Sequence, residues 1–82
     1  MVDYRNQRLS PRRNTMIIAD IVFDGGQTLM NCVIRNLSDG GAKLEVPTVR
    51  GVPGSFDLIV GRNRQPCRVA WRALKELGVQ FV

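Results

Sequence analysis

The sequence predicts an all-β fold: a small six-stranded antiparallel β-barrel with an extended N-terminal arm. Three observations carry that expectation. Apolar and polar residues alternate with a period of two in short runs. Gly and Pro punctuate those runs at roughly ten-residue spacing. No segment of useful length carries a helical period. A closed sheet is the arrangement that leaves short strands without exposed edges.

The elements follow in order. Residues 1–14 are polar and charged, contain Pro11 and lack a sustained period, so they read as a flexible basic arm. Residues 15–82 read as the barrel. Thr15 to Phe23 is the first strand, with Ile17, Ala19, Ile21 and Phe23 on one face, and Asp24-Gly25-Gly26 is a hairpin turn. Thr28 to Leu37 is the second strand, with Met30, Cys32 and Ile34 alternating against Asn31 and Arg35. Ser38-Asp39-Gly40-Gly41 turns the chain into Ala42 to Val46, where Lys43 and Glu45 face outward.

A Pro/Gly-punctuated loop, Pro47 to Gly54, leads to a fourth strand at Ser55 to Val60. Gly61-Arg62-Asn63-Arg64 is a tight turn before the fifth strand, Gln65 to Arg72. The alternation there sends Cys67, Val69 and Trp71 into the core, with the Trp71 indole edge at the rim and stacking on a base as its alternative role. Leu74-Lys75-Glu76 is a short connection or a single helical turn. Leu77 to Val82 is the sixth strand, with Val79 and Phe81 inward.

Composition narrows the function classes. Eighty-two residues make one domain with a limited core. The longest apolar run, Met16 to Phe23, is interrupted by Asp20 and falls well short of the roughly 20 residues that cross a bilayer. No signal peptide precedes it, so a soluble, cytoplasmic protein without membrane insertion is expected. The chain has no His and no CxxC pair, which argues against a structural metal site and removes the commonest general base. No nucleophile–base constellation can be read, and the expectation is a non-enzymatic protein without a cofactor. Cys32 and Cys67 fall within apolar runs and read as reduced, buried residues.

The net charge of +5 rests on ten Arg against two Lys. That bias favours planar recognition of phosphate or base edges over a diffuse field. Two short segments focus it. Arg8-Leu9-Ser10-Pro11-Arg12 sets two guanidinium groups in a non-helical segment. Asn36-Leu37-Ser38-Asp39-Gly40-Gly41 puts an amide, a hydroxyl and a Gly pair at the end of an alternating run. Arg suits phosphate oxygens and the guanine O6/N7 edge, and Asn offers both donor and acceptor to a base. Together they read as a site for an anionic ligand with purine bases. Each residue of the second segment also has a local reading. Asn36 caps the turn, Ser38 bonds nearby backbone, and Gly41 is a hairpin glycine or a point of close backbone approach.

These residues resemble the PilZ family, the bacterial receptors for cyclic di-GMP, whose signature is RxxxR followed by (D/N)xSxxG. Arg8 and Arg12 match the first part; Asn36, Ser38 and Gly41 match the second. Val69-Ala70-Trp71-Arg72 followed by Leu77-Gly78-Val79-Gln80-Phe81 looks like the strand pair that closes the family's barrel. The resemblance covers nearly the whole chain, from about Gln7 to Val82. Many members carry a C-terminal helix, and this sequence stops before one, so either a minimal version of the fold or a piece of a longer protein is expected. The resemblance implies cyclic di-GMP as ligand, held by Arg8, Arg12, Asn36, Ser38 and Gly41, with Arg13 and Gly40 as further contacts. It implies a receptor or adaptor whose arm orders on binding and signals to a partner protein.

Two other classes compete. A small basic barrel also suits RNA or single-stranded DNA, which requires aromatic side chains exposed on a strand face. Of the five aromatics, Tyr4, Phe23, Phe56, Trp71 and Phe81, the last four mostly alternate inward, so no nucleic-acid polymer is expected as a specific partner. A PilZ-like adaptor that binds only protein usually lacks the motif arginines, whereas Arg8 and Arg12 are both present.

Overall fold

The computed structural model describes residues 13–82 and shows six antiparallel strands closed into a barrel. β1 (Arg13–Phe23) and β2 (Thr28–Leu37) form a long hairpin through a short 3-10 turn at Asp24–Gly26. β3 (Gly41–Glu45), β4 (Ser55–Val60), β5 (Asn63–Arg72) and β6 (Glu76–Phe81) complete it, in the barrel order β1-β2-β3-β6-β5-β4. The expected all-β barrel is the observed fold. Among the described residues, no helix is long and apolar enough to cross a membrane.

The strand limits differ from the expected ones by one or two residues, and backbone pairing explains each difference. Arg13 and Asn14, read as the end of the arm, already pair with Leu37 and Asn36 in β1. β3 and β6 each begin one residue early because Gly41 pairs with Gln80 and Glu45 with Glu76. β5 starts at Asn63, opposite Val60, so the β4–β5 turn narrows to Gly61-Arg62. The link after β5 is a turn rather than a helix, closed by the Ala73 N–H donating to the Glu76 carbonyl at 2.9 Å.

Inward-facing positions build the core. Ile21, Leu44 and Leu77 are completely buried, and Ile34, Leu58 and Cys67 nearly so. Ile17, Phe23, Met30, Val69 and Phe81 pack against this cluster at its margins. The β3–β4 loop adds Val52, which is buried in the same cluster. No polar or charged residue is buried among those described, so the core asks for no internal hydrogen-bond network.

Three register shifts interrupt the ladders. One lies between Asn14 and Ile17 of β1, one between Ile34 and Asn36 of β2, and one between Val69 and Trp71 of β5. In each, one strand spends an extra residue against its partner, which is the signature of a β-bulge. A bulge reverses the inside–outside alternation beyond it. Asn36 therefore pairs with outward-facing Lys43, and Trp71 with outward-facing Gly78. Simple alternation sends Trp71 into the core; the bulge at Ala70 turns it out instead, where it is 46% exposed.

Candidate functional site

The re-aimed residues meet. The outer faces of β2, β3, β6 and β5 enclose a groove of about 350 Å³. Asn36, Ser38, Gly40 and Gly41 line one side of it, and Trp71 and Gly78 the other, with Lys43 between them. Of the residues expected to bind ligand, the four from the second motif thus share one concave surface. Arg13 is the first residue of β1 and pairs with Leu37, which also lines the groove. Arg8 and Arg12 lie outside the described residues.

Two glycines make the hollow. A side chain at residue 41 would collide with the Val79 carbonyl oxygen of β6. Gly41 does not occupy the positive-φ region. Its requirement is therefore the close approach of two strands, not an unusual turn. A side chain at residue 78 would collide with the Trp71 indole, chiefly its Nε1 and Cε2 atoms. The indole therefore sits directly over the strand at Gly78 and walls this side of the groove. Glycine inside a strand is an uncommon choice that marks such close contacts, and Gly78 carried that signal in the sequence.

Ser38 closes the rim. Its backbone N–H donates to the Gly41 carbonyl at 2.9 Å, and its hydroxyl donates to the same oxygen at 3.3 Å. The Phe81 N–H donates to the Gly40 carbonyl at 2.9 Å, tying this turn to β6. Ser38 is thus a local turn clamp, and the same bonds hold the Gly40-Gly41 backbone in shape at the groove edge. At the far end of the bulged hairpin, the Thr15 hydroxyl donates to the Ile34 carbonyl next to Arg35, which fixes the backbone just before Asn36.

Charges gather beside the groove. Lys43 lies 3.8 Å from Glu76, and Arg35 lies 3.5 Å from Glu45. Both pairs are partly exposed, so each contributes little to stability. Their carboxylates belong to directly paired residues, Glu45 opposite Glu76. A polar hollow of about 420 Å³ holds these four side chains and joins the groove through Asn36 and Lys43. Alternation marks Lys43 only as an outward residue; the pairing of β3 with β2 and β6 is what puts it on the groove floor.

The cysteines stand apart from this surface. Both are free and buried in the barrel. Burial pushes the Cys32 thiol up to about 12, with smaller contributions from Asp20 and Cys67. Burial likewise raises the Cys67 thiol to about 11, with Asp57 adding to it. The Cys67 thiol donates to the Gln65 carbonyl at 3.4 Å. Both remain protonated at neutral pH, as expected of small core residues.

Comparison with known proteins gives one family. No curated protein sequence matches the chain. The sequence model of the PilZ domain, in contrast, matches residues 6–82, a span that includes both motifs and every strand. With the barrel closed as described and the second motif on its outer groove, the chain belongs to the PilZ domain family.

Proposed function

We propose that this domain is a cyclic di-GMP receptor that binds the dinucleotide in the outer groove and closes its N-terminal arm over it. The observation that carries the reading is a convergence. Asn36, Ser38, Gly40 and Gly41 line the same groove as the Trp71 indole, and β1 starts beside that groove, one residue after Arg12. From Arg13, five residues of chain span at most about 17 Å, enough to bring both Arg8 and Arg12 over a bound ligand.

Each group then has a task. Arg8 and Arg12 neutralise phosphate or grip a guanine edge, with Arg13 as a further cation. Asn36 meets a base edge through its amide. The Gly40-Gly41 backbone admits the ligand close to the sheet. Trp71 offers a face for stacking, an interaction of about 1–3 kcal/mol per base. Ordering the arm costs about 1–2 kcal/mol per residue, and several charge-assisted contacts of about 1.5–3 kcal/mol each are needed to offset it. Both arginines are therefore required together. The closed arm is the surface a partner protein reads, and the domain acts by binding, not by catalysis.

The exposure of Trp71 also favours a second reading, a binder of single-stranded RNA or DNA. Among the described residues Trp71 is a single aromatic platform and a weak basis for it, because Phe56 is buried and Phe23 and Phe81 pack against the core. Calorimetric titration separates the two. Cyclic di-GMP is expected to bind, with GMP and a short RNA as controls that bind far more weakly. No heat with cyclic di-GMP, or equal affinity for the RNA, overturns the receptor reading.

A further inference from the structure

We propose that Lys43 is an anion-binding residue of the groove that Glu76 holds in reserve, so that ligand binding is an exchange of partners. Lys43 leaves the Glu76 carboxylate for a ligand phosphate. The inference rests on the receptor reading above and adds a residue and a control to it.

The position of Lys43 is the first ground. It pairs with Asn36 on one side and Gly78 on the other, so its Cα sits between the motif amide and the Trp71 wall. It lines both the groove and the adjoining polar hollow that contains Glu76. A lysine ammonium is a point charge on a flexible stem, and a modest change of rotamer carries it from one compartment to the other.

The second ground is the weakness of its present contact. The ammonium lies 3.8 Å from Glu76 Oε2, with the two side chains 32% and 41% exposed. Such a long, hydrated pair is worth little. A ligand phosphate seated in the groove, in closer and less hydrated contact with the ammonium, is the stronger acceptor.

The third ground is the cost of leaving. Glu45 and Glu76 face each other across β3 and β6, an arrangement of like charges that destabilises a sheet. Arg35 covers Glu45 and Lys43 covers Glu76. When Lys43 moves to the ligand, two opposed carboxylates remain with Arg35 alone. Glu76 therefore lowers the affinity for anions and sets how much ligand is needed before the site fills.

The test is a double-mutant cycle read by calorimetry with cyclic di-GMP, on the full chain at two salt concentrations. Lys43→Ala is expected to weaken binding about tenfold and to flatten its salt dependence, while Lys43→Arg stays near wild type. Glu76→Gln is expected to tighten binding about threefold, and that gain should vanish in the Lys43→Ala background. Both positions are partly exposed, and thermal melts of each variant establish that the barrel is intact. If the wild type binds while Lys43→Ala binds equally well, the exchange is wrong and the receptor reading stands. The same holds if the Glu76→Gln gain persists without Lys43. A wild type that does not bind cyclic di-GMP removes the receptor reading, and the exchange with it.

Discussion

The Trp71 indole occupies the space that any side chain at residue 78 would need, so Gly78 and Trp71 form one unit across β5 and β6. Gly78→Val should therefore displace the indole without touching any motif residue. We expect a shift in tryptophan fluorescence, a loss of about 1–3 kcal/mol in stability from overpacking, and weaker cyclic di-GMP binding. Trp71→Ala in the same assay should lose binding with less change in stability, since its side chain is half-exposed. Unaltered emission in the Gly78→Val variant would show that the indole does not rest on the strand.

Gly41 separates fold from ligand in a second way. Because a side chain there meets the Val79 carbonyl of the neighbouring strand, Gly41→Ala is expected to lower the urea midpoint by an amount equivalent to about 1–3 kcal/mol. Ser38→Ala removes one hydroxyl bond from the β2–β3 turn and should cost about 1 kcal/mol. A Gly41→Ala protein as stable as wild type would mean that the strand approach is looser than described.

Arg8 and Arg12 should matter to binding alone. Arg8→Ala or Arg12→Ala is expected to weaken cyclic di-GMP binding at least tenfold, the loss of one charge-assisted contact, with an unchanged far-UV circular dichroism spectrum. Ligand should also protect the arm from trypsin, for which Arg5, Arg8 and Arg12 are cleavage sites. Identical digestion with and without saturating ligand would sink the closing-arm model even if binding were confirmed, because a ligand shifts only states it distinguishes.

The thiols give a pH signature. Cys32 and Cys67 are raised from about 9 in an unfolded chain to about 12 and about 11 in the barrel. The unfolded state thus releases these protons first. Their contribution to stability is complete below about pH 9 and is lost as the pH climbs through the folded values, at up to about 1.4 kcal/mol per pH unit for each thiol. Urea titrations between pH 8 and about pH 11 should show this decline, and Cys32→Ala should make it shallower while lowering stability at neutral pH. At neutral pH both thiols should react slowly with thiol reagents in the native protein; rapid labelling would contradict their burial.

Much of this barrel is legible in its residues. The two-residue alternation of Met30, Cys32 and Ile34, or of Leu44 and Val46, marks an inner face because burial of alternate side chains is what holds a sheet together. Gly61 and the Asp24-Gly25-Gly26 run mark turns for a similarly local reason: they occupy backbone regions that most side chains avoid. The donor and acceptor groups of the second motif, the Asn36 amide and the Ser38 hydroxyl, are equally local, being a matter of side-chain chemistry.

What pattern could not supply is where alternation fails. A bulge adds one residue to one strand, and its position depends on the partner strand's register, which no short window of sequence contains. That is why Trp71 reads as a core residue yet lies outside, and why Asn36, beyond its own bulge, reaches the groove. Lys43 became a groove residue for the same reason, since its neighbours Asn36 and Gly78 come from strands that pairing alone brings together. Local chemistry dictated the strands and the candidate binding groups; the closure of six strands into one register decided which of those groups share a surface.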